Sequence, residues 1–168
     1  MKYLWAPWRI RYIKETPKKD CVFCTLPQEG RDRDHRIVGR AERVFVILNT
    51  YPYNAGHLMV VPNRHVADLG DLDDAETLEL IHLTSASMQA IRETYGSEGF
   101  NVGMNVGRAA GAGIVGHLHV HVVPRWTGDT NFMPVLAEVK VLPEDLAVTR
   151  DRLAAALQAV RARGSTHA

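Results

Sequence analysis

The chain has 168 residues, a formal net charge of +1 and a hydrophobic content of 46%, which are values typical of a folded domain with its own core. This composition excludes an intrinsically disordered, collagen-like or coiled-coil protein. The small net charge predicts no long-range attraction to nucleic acid or membranes, and two cysteines are too few for a disulfide scaffold.

Residues 1–20 form an amino-terminal extension in which aromatic and basic residues alternate. The extension lacks the apolar run of a signal peptide, and the uncharged stretch 44–63 is too interrupted by turn residues to span a bilayer. We therefore expect a soluble, cytoplasmic protein that binds neither membranes nor nucleic acid. The extension itself is suited to contact with a partner subunit.

Short apolar runs bounded by turn residues predict an antiparallel sheet. The segments predicted as strands are 44–48, 57–61, 100–106, 118–123 and 135–142. The turn at 50–56, with Pro52, Asn54 and Gly56, is short enough to join the first two as an antiparallel pair. A glycine-rich loop joins the third and fourth strands.

Two helices are predicted. The long central helix begins at acidic residues 71–76, which suit the positive end of a helix dipole, and stops at Gly96. Its apolar stripe is predicted to contain Leu78, Ile81, Ser85, Met88 and Ile91. A C-terminal helix over 143–164 has a stripe formed by Leu146, Leu153, Leu157 and Val160. These elements predict one α+β domain over 1–168, with its core at 21–135.

The strongest motif is the run of three alternating histidines at His117, His119 and His121. Side chains alternate across a strand, so the three imidazoles share one face and the intervening apolar residues share the other. Such a row suits a three-histidine catalytic zinc site. It equally suits a nucleophile, because a neutral imidazole has a free lone pair near pH 7.

The loop before this row contains Gly111, Gly113 and Gly116 in a G-x-G-x-x-G pattern. A dinucleotide fingerprint requires a helix after the glycines, and here a strand follows. The glycines instead allow backbone N–H groups to converge on an anion, and Arg108 adds a positive charge. A phosphoryl group held beside an imidazole is an arrangement for attack on phosphorus.

The segment HLHVHVV at 117–123 matches the H-φ-H-φ-H-φ-φ motif of the histidine triad (HIT) superfamily at all seven positions, with φ hydrophobic. The segments 48–62 and 99–132, together with LWAPWRIRY near the amino terminus, resemble the bacterial diadenosine polyphosphate phosphorylase and hydrolase branch. The resemblance implies a HIT fold, a homodimer or larger assembly, and adenine nucleotide substrates of the diadenosine tetraphosphate class. It implies no organic cofactor.

The resemblance also implies a role for each matching residue. His119 would be the nucleophile and would form a covalent nucleotidyl-histidine intermediate at the α-phosphorus. His121 would donate to phosphate oxygens, and His57 would support the nucleophile. The remaining nucleotide contacts would come from Asn49 at the ribose hydroxyls and from Asn105, Gly111 and Gly113 at the phosphates.

One departure from the family leaves the acceptor open. Many members have Ser, Thr or Gln late in the glycine loop, where this chain has Gly113 and Ile114. Water as acceptor would make the enzyme a hydrolase, and inorganic phosphate would make it a phosphorylase (ATP adenylyltransferase). The alternatives are an adenosine 5′-phosphoramidase and a non-catalytic nucleotide-binding module supported by zinc.

The pair Cys21 and Cys24 forms a C-x-x-C motif, which by itself fits either zinc or redox chemistry. Related proteins imply a structural zinc site formed by these cysteines with His65 and His117, a closed set of four ligands. We expect no role for the other histidines, namely His35, His82 and His167. Trp126 stacks on a base, covers the core or contacts a second subunit.

Overall fold

A computed structural model of the protein describes residues 21–129 and 144–164. The helices are α1 (Val22–Gln28), α2 (Asp74–Tyr95) and α3 (Leu146–Gly164), and the strands are β1 (Ile37–Arg40), β2 (Val44–Leu48), β3 (Leu58–Pro62), β4 (Gly99–Gly103) and β5 (Val120–Arg125). Short 3₁₀ turns occur at Leu69–Asp71 and Arg108–Ala110. The extension at 1–20, the predicted strand at 135–142 and His167 lie outside the described residues.

The five strands form one antiparallel sheet in the order β1-β2-β3-β5-β4, which confirms the predicted α+β class. β2 has the predicted bounds and pairs with β3. β1 was not predicted, because it is short, contains Gly39 and is irregular in register. Pro124 was predicted to end β5 but lies inside it, beyond the last β3 partner at Val122, where β5 is flanked by one strand and a missing N–H is tolerated.

α2 and α3 cover one face of the sheet. α2 begins as predicted, since Asp73 and Glu76 form a reciprocal capping box, and it ends at Gly96 in the left-handed conformation (φ 60°). The predicted apolar stripe of α2 is wrong at its start, because Leu78 and Ile81 are each 58% exposed.

The buried face of α2 includes polar residues that the apolar pattern did not mark. Thr84 and Ser87 face the sheet together with Leu80, Leu83, Ala90 and Ile91, while Ser85 is exposed and Met88 packs half-buried. The Thr84 hydroxyl donates to the Leu80 carbonyl oxygen at 2.7 Å, which satisfies it inside the core. In α3, Leu153, Leu157 and Val160 are buried as predicted, whereas Leu146 is half-buried.

The opposite face of the sheet is covered by α1 over a smaller apolar cluster. The buried members of this cluster are Phe23, Ile37, Phe45, Ile47, Met59 and Val61. Met59 of β3 is paired with His121 of β5, so His121 lies on this second face with α1. The histidine row therefore lies on the α1 side of the sheet, opposite α2 and α3.

Candidate active site and metal site

The histidine row lies on the α1 face of the sheet, at and just before the start of β5. His119 is 5% exposed and His117 is 1% exposed, and His121 is half-buried. The ring centroids of His119 and His121 are 4.9 Å apart. The intervening Leu118, Val120 and Val122 are buried, so the predicted division of the strand into a histidine face and an apolar face is confirmed.

The ring of His119 is oriented by the backbone. Its Nδ1 lies 2.8 Å from the carbonyl oxygen of His117. A carbonyl oxygen only accepts hydrogen bonds, so Nδ1 carries the proton and Nε2 keeps the lone pair. Burial lowers the pKa of His119, while the hydrogen bond to the His117 carbonyl acts in the opposite direction. The neutral ring with a basic Nε2 is the form that a nucleophile needs.

A second hydrogen-bonded chain determines the proton positions of the neighbouring histidines. The backbone N–H of Tyr53 donates to Nδ1 of His57 at 3.1 Å, so neutral His57 carries its proton on Nε2. That nitrogen donates to Nδ1 of His121 at 2.9 Å. Neutral His121 therefore has its proton on Nε2 and can act as a hydrogen-bond donor. The Tyr53 ring stacks on His57, with a centroid distance of 4.9 Å.

Four side chains form a compact group that suits a metal ion: Cys21, Cys24, His65 and His117, whose donor atoms all lie within 4.8 Å of one another. Nδ1 of His117 is 3.3 Å from the Cys21 sulfur and 3.5 Å from the Cys24 sulfur, and Nδ1 of His65 is 3.3 Å from the Cys24 sulfur. Two thiols and two imidazoles are the donor set of structural zinc sites.

The backbone also sets the proton position of His117. Its Nε2 lies 2.8 Å from the carbonyl oxygen of Pro62 and so carries the proton, which leaves Nδ1 as the basic nitrogen on the side of the cysteines. Burial lowers the pKa of His117 and, together with the neighbouring Cys21 thiol, raises the pKa of the Cys24 thiol. Within residues 21–129 and 144–164, the metal-suited group includes neither His119 nor His121. This separation argues against a three-histidine catalytic zinc site.

Phe23 lies between the two cysteines on α1 and was not singled out from the sequence. Its ring centroid is 5.5 Å from that of His117 and 5.2 Å from that of His119. The side chain is 2% exposed. Its position inside the C-x-x-C motif could have drawn attention to Phe23. No sequence pattern indicates that its ring contacts His117 and His119.

Comparison with known proteins decides the family, since the HIT domain matches residues 31–128. The chain belongs to the HIT family. It is 44% identical over 163 residues to the AP-4-A phosphorylase of Mycobacterium tuberculosis, which covers 92% of this chain and 83% of that protein. The family predicted from the motif is therefore confirmed, and this relative is a HIT enzyme.

Solved structures show the same HIT fold. A Zn-bound histidine triad family protein from Mycobacterium smegmatis superimposes with a TM-score of 0.69 at 28% identity, covering 86% of this chain and 97% of that one. A hypothetical histidine triad nucleotide-binding protein from Sulfolobus tokodaii gives a TM-score of 0.69 at 24% identity, covering 84% and 94%. Among the described helices of this HIT protein, none has the length and apolar character to cross a membrane.

The predicted nucleotide-binding residues of the HIT site lie at two places. Asn105, Gly111 and Gly113 lie in the loop between β4 and β5, where Gly111 adopts a φ of 82° that favours glycine. Asn49 follows β2, and its side-chain oxygen accepts from the Tyr51 backbone N–H at 2.8 Å, which is a turn contact. Their contact with a nucleotide stays a prediction.

A polar latch that the sequence did not reveal joins the turn before β3 to the end of β5. The Asn54 amide donates to the Pro124 carbonyl oxygen and to an Asp129 carboxylate oxygen, both at 2.9 Å. Arg125 donates to the two Asp129 oxygens at 2.6 and 2.8 Å, and it holds the pKa of Asp129 well below its usual range. The latch fixes the turn that leads into His57.

Of the remaining candidates, Trp126 and His35 have structural contacts and His82 is exposed. The indole N–H of Trp126 donates to the Tyr95 carbonyl oxygen at 3.2 Å, which joins this side chain to the end of α2. His35 was expected in a solvated loop, but its ring lies 2.8 Å from a Glu29 carboxylate oxygen and is only 14% exposed. His82 is exposed on α2.

Proposed function

We propose that the protein is a nucleotidyl transferase that cleaves the α-phosphate linkage of diadenosine polyphosphates of the tetraphosphate class. The observation that carries the proposal is the orientation of His119, whose backbone-anchored Nδ1 leaves Nε2 as the basic nitrogen. His121 accepts from His57 on Nδ1, so its Nε2–H can donate to a phosphate, and its ring lies beside that of His119 at a centroid distance of 4.9 Å. The 44% identity to a protein named AP-4-A phosphorylase supports this substrate class.

In the proposed first step, Nε2 of His119 attacks the α-phosphorus. A P–N bond forms while the bond from phosphorus to the bridging oxygen breaks, and the leaving nucleotide departs with that electron pair. The Nε2–H group of His121 donates to a phosphate oxygen as negative charge develops on it. The product of this step is an AMP group bonded to His119, with a free nucleoside polyphosphate.

In the second step, an acceptor oxygen attacks the same phosphorus and breaks the P–N bond, which restores His119 with its lone pair. We propose inorganic phosphate as this acceptor, so that diadenosine tetraphosphate gives ADP and ATP. The name of the mycobacterial relative supports phosphate over water. Asn49, Asn105, Gly111 and Gly113 are the proposed nucleotide contacts.

We further propose that Cys21, Cys24, His65 and His117 hold a structural zinc ion. The compact donor group and the Zn-bound histidine triad neighbour support this assignment. Bound zinc would cross-link α1 to the loop after β3 and to the histidine row. The proposed substrate is an adenine dinucleotide. We also propose that two copies of the chain form a homodimer, and light scattering tests this oligomeric state directly.

The deciding experiment is incubation of the purified protein with diadenosine tetraphosphate, with and without phosphate. Phosphate-dependent formation of ADP and ATP is expected. Formation of AMP and ATP without phosphate would make the protein a hydrolase instead, and a protein that binds nucleotide without any turnover would be a binding module. His119→Ala is expected to abolish turnover and the acid-labile AMP adduct, whereas His82→Ala, at an exposed position, keeps both. Turnover by His119→Ala would contradict the covalent mechanism.

A further inference from the structure

One aromatic side chain lies between the metal-suited group and the candidate nucleophile. Phe23 is flanked in sequence by Val22 and Cys24 and lies on a helix of seven residues. Its ring meets the His119 ring with a centroid distance of 5.2 Å and an interplanar angle of 58°. It meets the His117 ring edge-on at 5.5 Å. The same side chain thus contacts a proposed metal ligand and the proposed nucleophile.

The described contacts of His119 explain why this packing matters. The hydrogen bond from Nδ1 to the His117 carbonyl oxygen holds one edge of the imidazole. A single hydrogen bond leaves the ring able to tilt, and a neighbouring aromatic ring restricts that tilt. Aromatic pairs of this kind stabilise each other beyond the burial of their surface, and a reacting atom displaced by about 1 Å loses rate on the order of 100-fold.

We propose that Phe23 is a positioning residue for His119, which transmits the rigidity of the cysteine-bearing helix to the reacting nitrogen. Cys21 and Cys24 lie on either side of Phe23 in the sequence. If the proposed zinc ion holds both sulfurs, it would also fix the direction in which the Phe23 ring points. The Phe23 ring in turn limits the tilt of the His119 imidazole. This role rests on the proposed function of His119 as the nucleophile.

Phe45 provides a matched comparison from the same apolar cluster. It is 0% exposed and meets Phe23 at a centroid distance of 6.4 Å. In the described part of the chain, its ring contacts do not include His119. Truncating Phe45 therefore removes a similar volume from the same cluster and retains the Phe23 ring that contacts His119.

The test compares Phe23→Leu with Phe45→Leu in the zinc-loaded full chain, using diadenosine tetraphosphate. Phe23→Leu is expected to lower kcat and the single-turnover rate of adenylylation by about 10-fold with KM changed less than about twofold, since Phe23 is not among the proposed nucleotide contacts. Phe45→Leu is expected to lose similar thermal stability and keep kcat. Equal losses of kcat in both variants, or full kcat in Phe23→Leu, would overturn the proposal.

A second measurement is independent of turnover. Long-range ¹H–¹⁵N correlation spectra of the imidazole nitrogens report whether the His119 ring has one conformation and one tautomer. We expect broadened or doubled His119 signals in Phe23→Leu and a single sharp set in Phe45→Leu, and identical spectra would contradict the positioning role. If the wild type turns over no dinucleotide, the proposed function fails while the spectra still test the contact. The pair Phe23→Met and Phe45→Met retains more buried volume and serves if the leucine variants do not fold.

Discussion

Nε2 of His57 lies 2.9 Å from Nδ1 of His121, so a histidine that directly precedes β3 determines which nitrogen of a β5 histidine carries the proton. The Tyr53 backbone N–H occupies the other side of His57. This chain of donors makes the His121 side chain a donor on the nitrogen that points away from His57.

His57→Phe tests this relationship, because it keeps an aromatic ring of similar size and removes both nitrogens. His121 then loses the partner that orients it, and we expect kcat to fall by about 10- to 100-fold in steady-state assays. Tyr53→Phe is the control, since it keeps the backbone N–H and the stacked ring. A His57→Phe variant with wild-type kcat would show that His121 is oriented by other contacts.

Metal content separates a structural zinc site from a catalytic one. Cys24→Ala is expected to lose the proposed zinc ion and to lower the free energy of unfolding by more than about 2 kcal/mol, because metal binding couples to folding. His119→Ala is expected to keep the full zinc content. Elemental analysis and thermal unfolding measure both quantities, and a loss of zinc in His119→Ala would restore the three-histidine alternative.

Acid stability depends in part on the carboxylate of Glu76. Arg64 donates to its two oxygens at 2.9 and 2.6 Å. This ion pair first, and the backbone N–H of Asp73 in addition, lower the pKa of Glu76 from 4.5 to about 2 against the opposing effect of burial. A carboxyl group whose pKa is lowered in the folded state stabilises the fold at every pH above its unfolded-state pKa. For Glu76 this contribution is complete above pH 4.5 and is lost as the pH falls from 4.5 toward 2.

Glu76→Gln is therefore expected to lose about 1–2 kcal/mol of unfolding free energy at pH 7, with a difference from wild type that shrinks below pH 4.5. Urea unfolding across this pH range measures the effect. Asp74→Asn, at an exposed position in the same helical turn, should change stability by less than about 0.5 kcal/mol. If the loss of unfolding free energy in Glu76→Gln stays constant from pH 7 down to about pH 2, the lowered pKa of Glu76 does not contribute to stability.

Two strand glycines provide a test of packing between α3 and the sheet. A Cβ atom at Gly39 would lie 2.9 Å from Cδ2 of Leu157, whereas a Cβ atom at Gly103 would meet nothing within 4 Å. Gly39→Ala is expected to cost about 1–3 kcal/mol of stability through overpacking, and Gly103→Ala less than about 0.5 kcal/mol. Chemical denaturation compares them, and equal effects would mean that Leu157 moves aside at little cost.

Much of the fold follows from local sequence signals. β2 is bounded by turn residues and buried throughout, so its composition alone gives its limits. The start of α2 depends on a capping box between Asp73 and Glu76, three positions apart. The histidine row follows from the two-residue period of a strand. These features depend on neighbours in sequence, and for that reason they could be predicted.

The remaining features depend on contacts between distant segments. The orientation of α2 buries Thr84 and Ser87 and exposes Leu78 and Ile81. It is set by packing against the sheet and α3, which an apolar count along the helix does not include. The contact between Phe23 and His119 joins residues far apart in the chain. The hydrogen bond from Asn54 to Asp129 also joins residues far apart in the sequence, and no local pattern indicates it.

The proton positions of His117 and His119 are set by two main-chain oxygens, those of Pro62 and His117. No side-chain substitution deletes a main-chain oxygen. Substitution of side chains around the proposed nucleotide site therefore leaves both carbonyl acceptors in the main chain, so the basic nitrogens of His117 and His119 are expected to persist in variants engineered for a different acceptor.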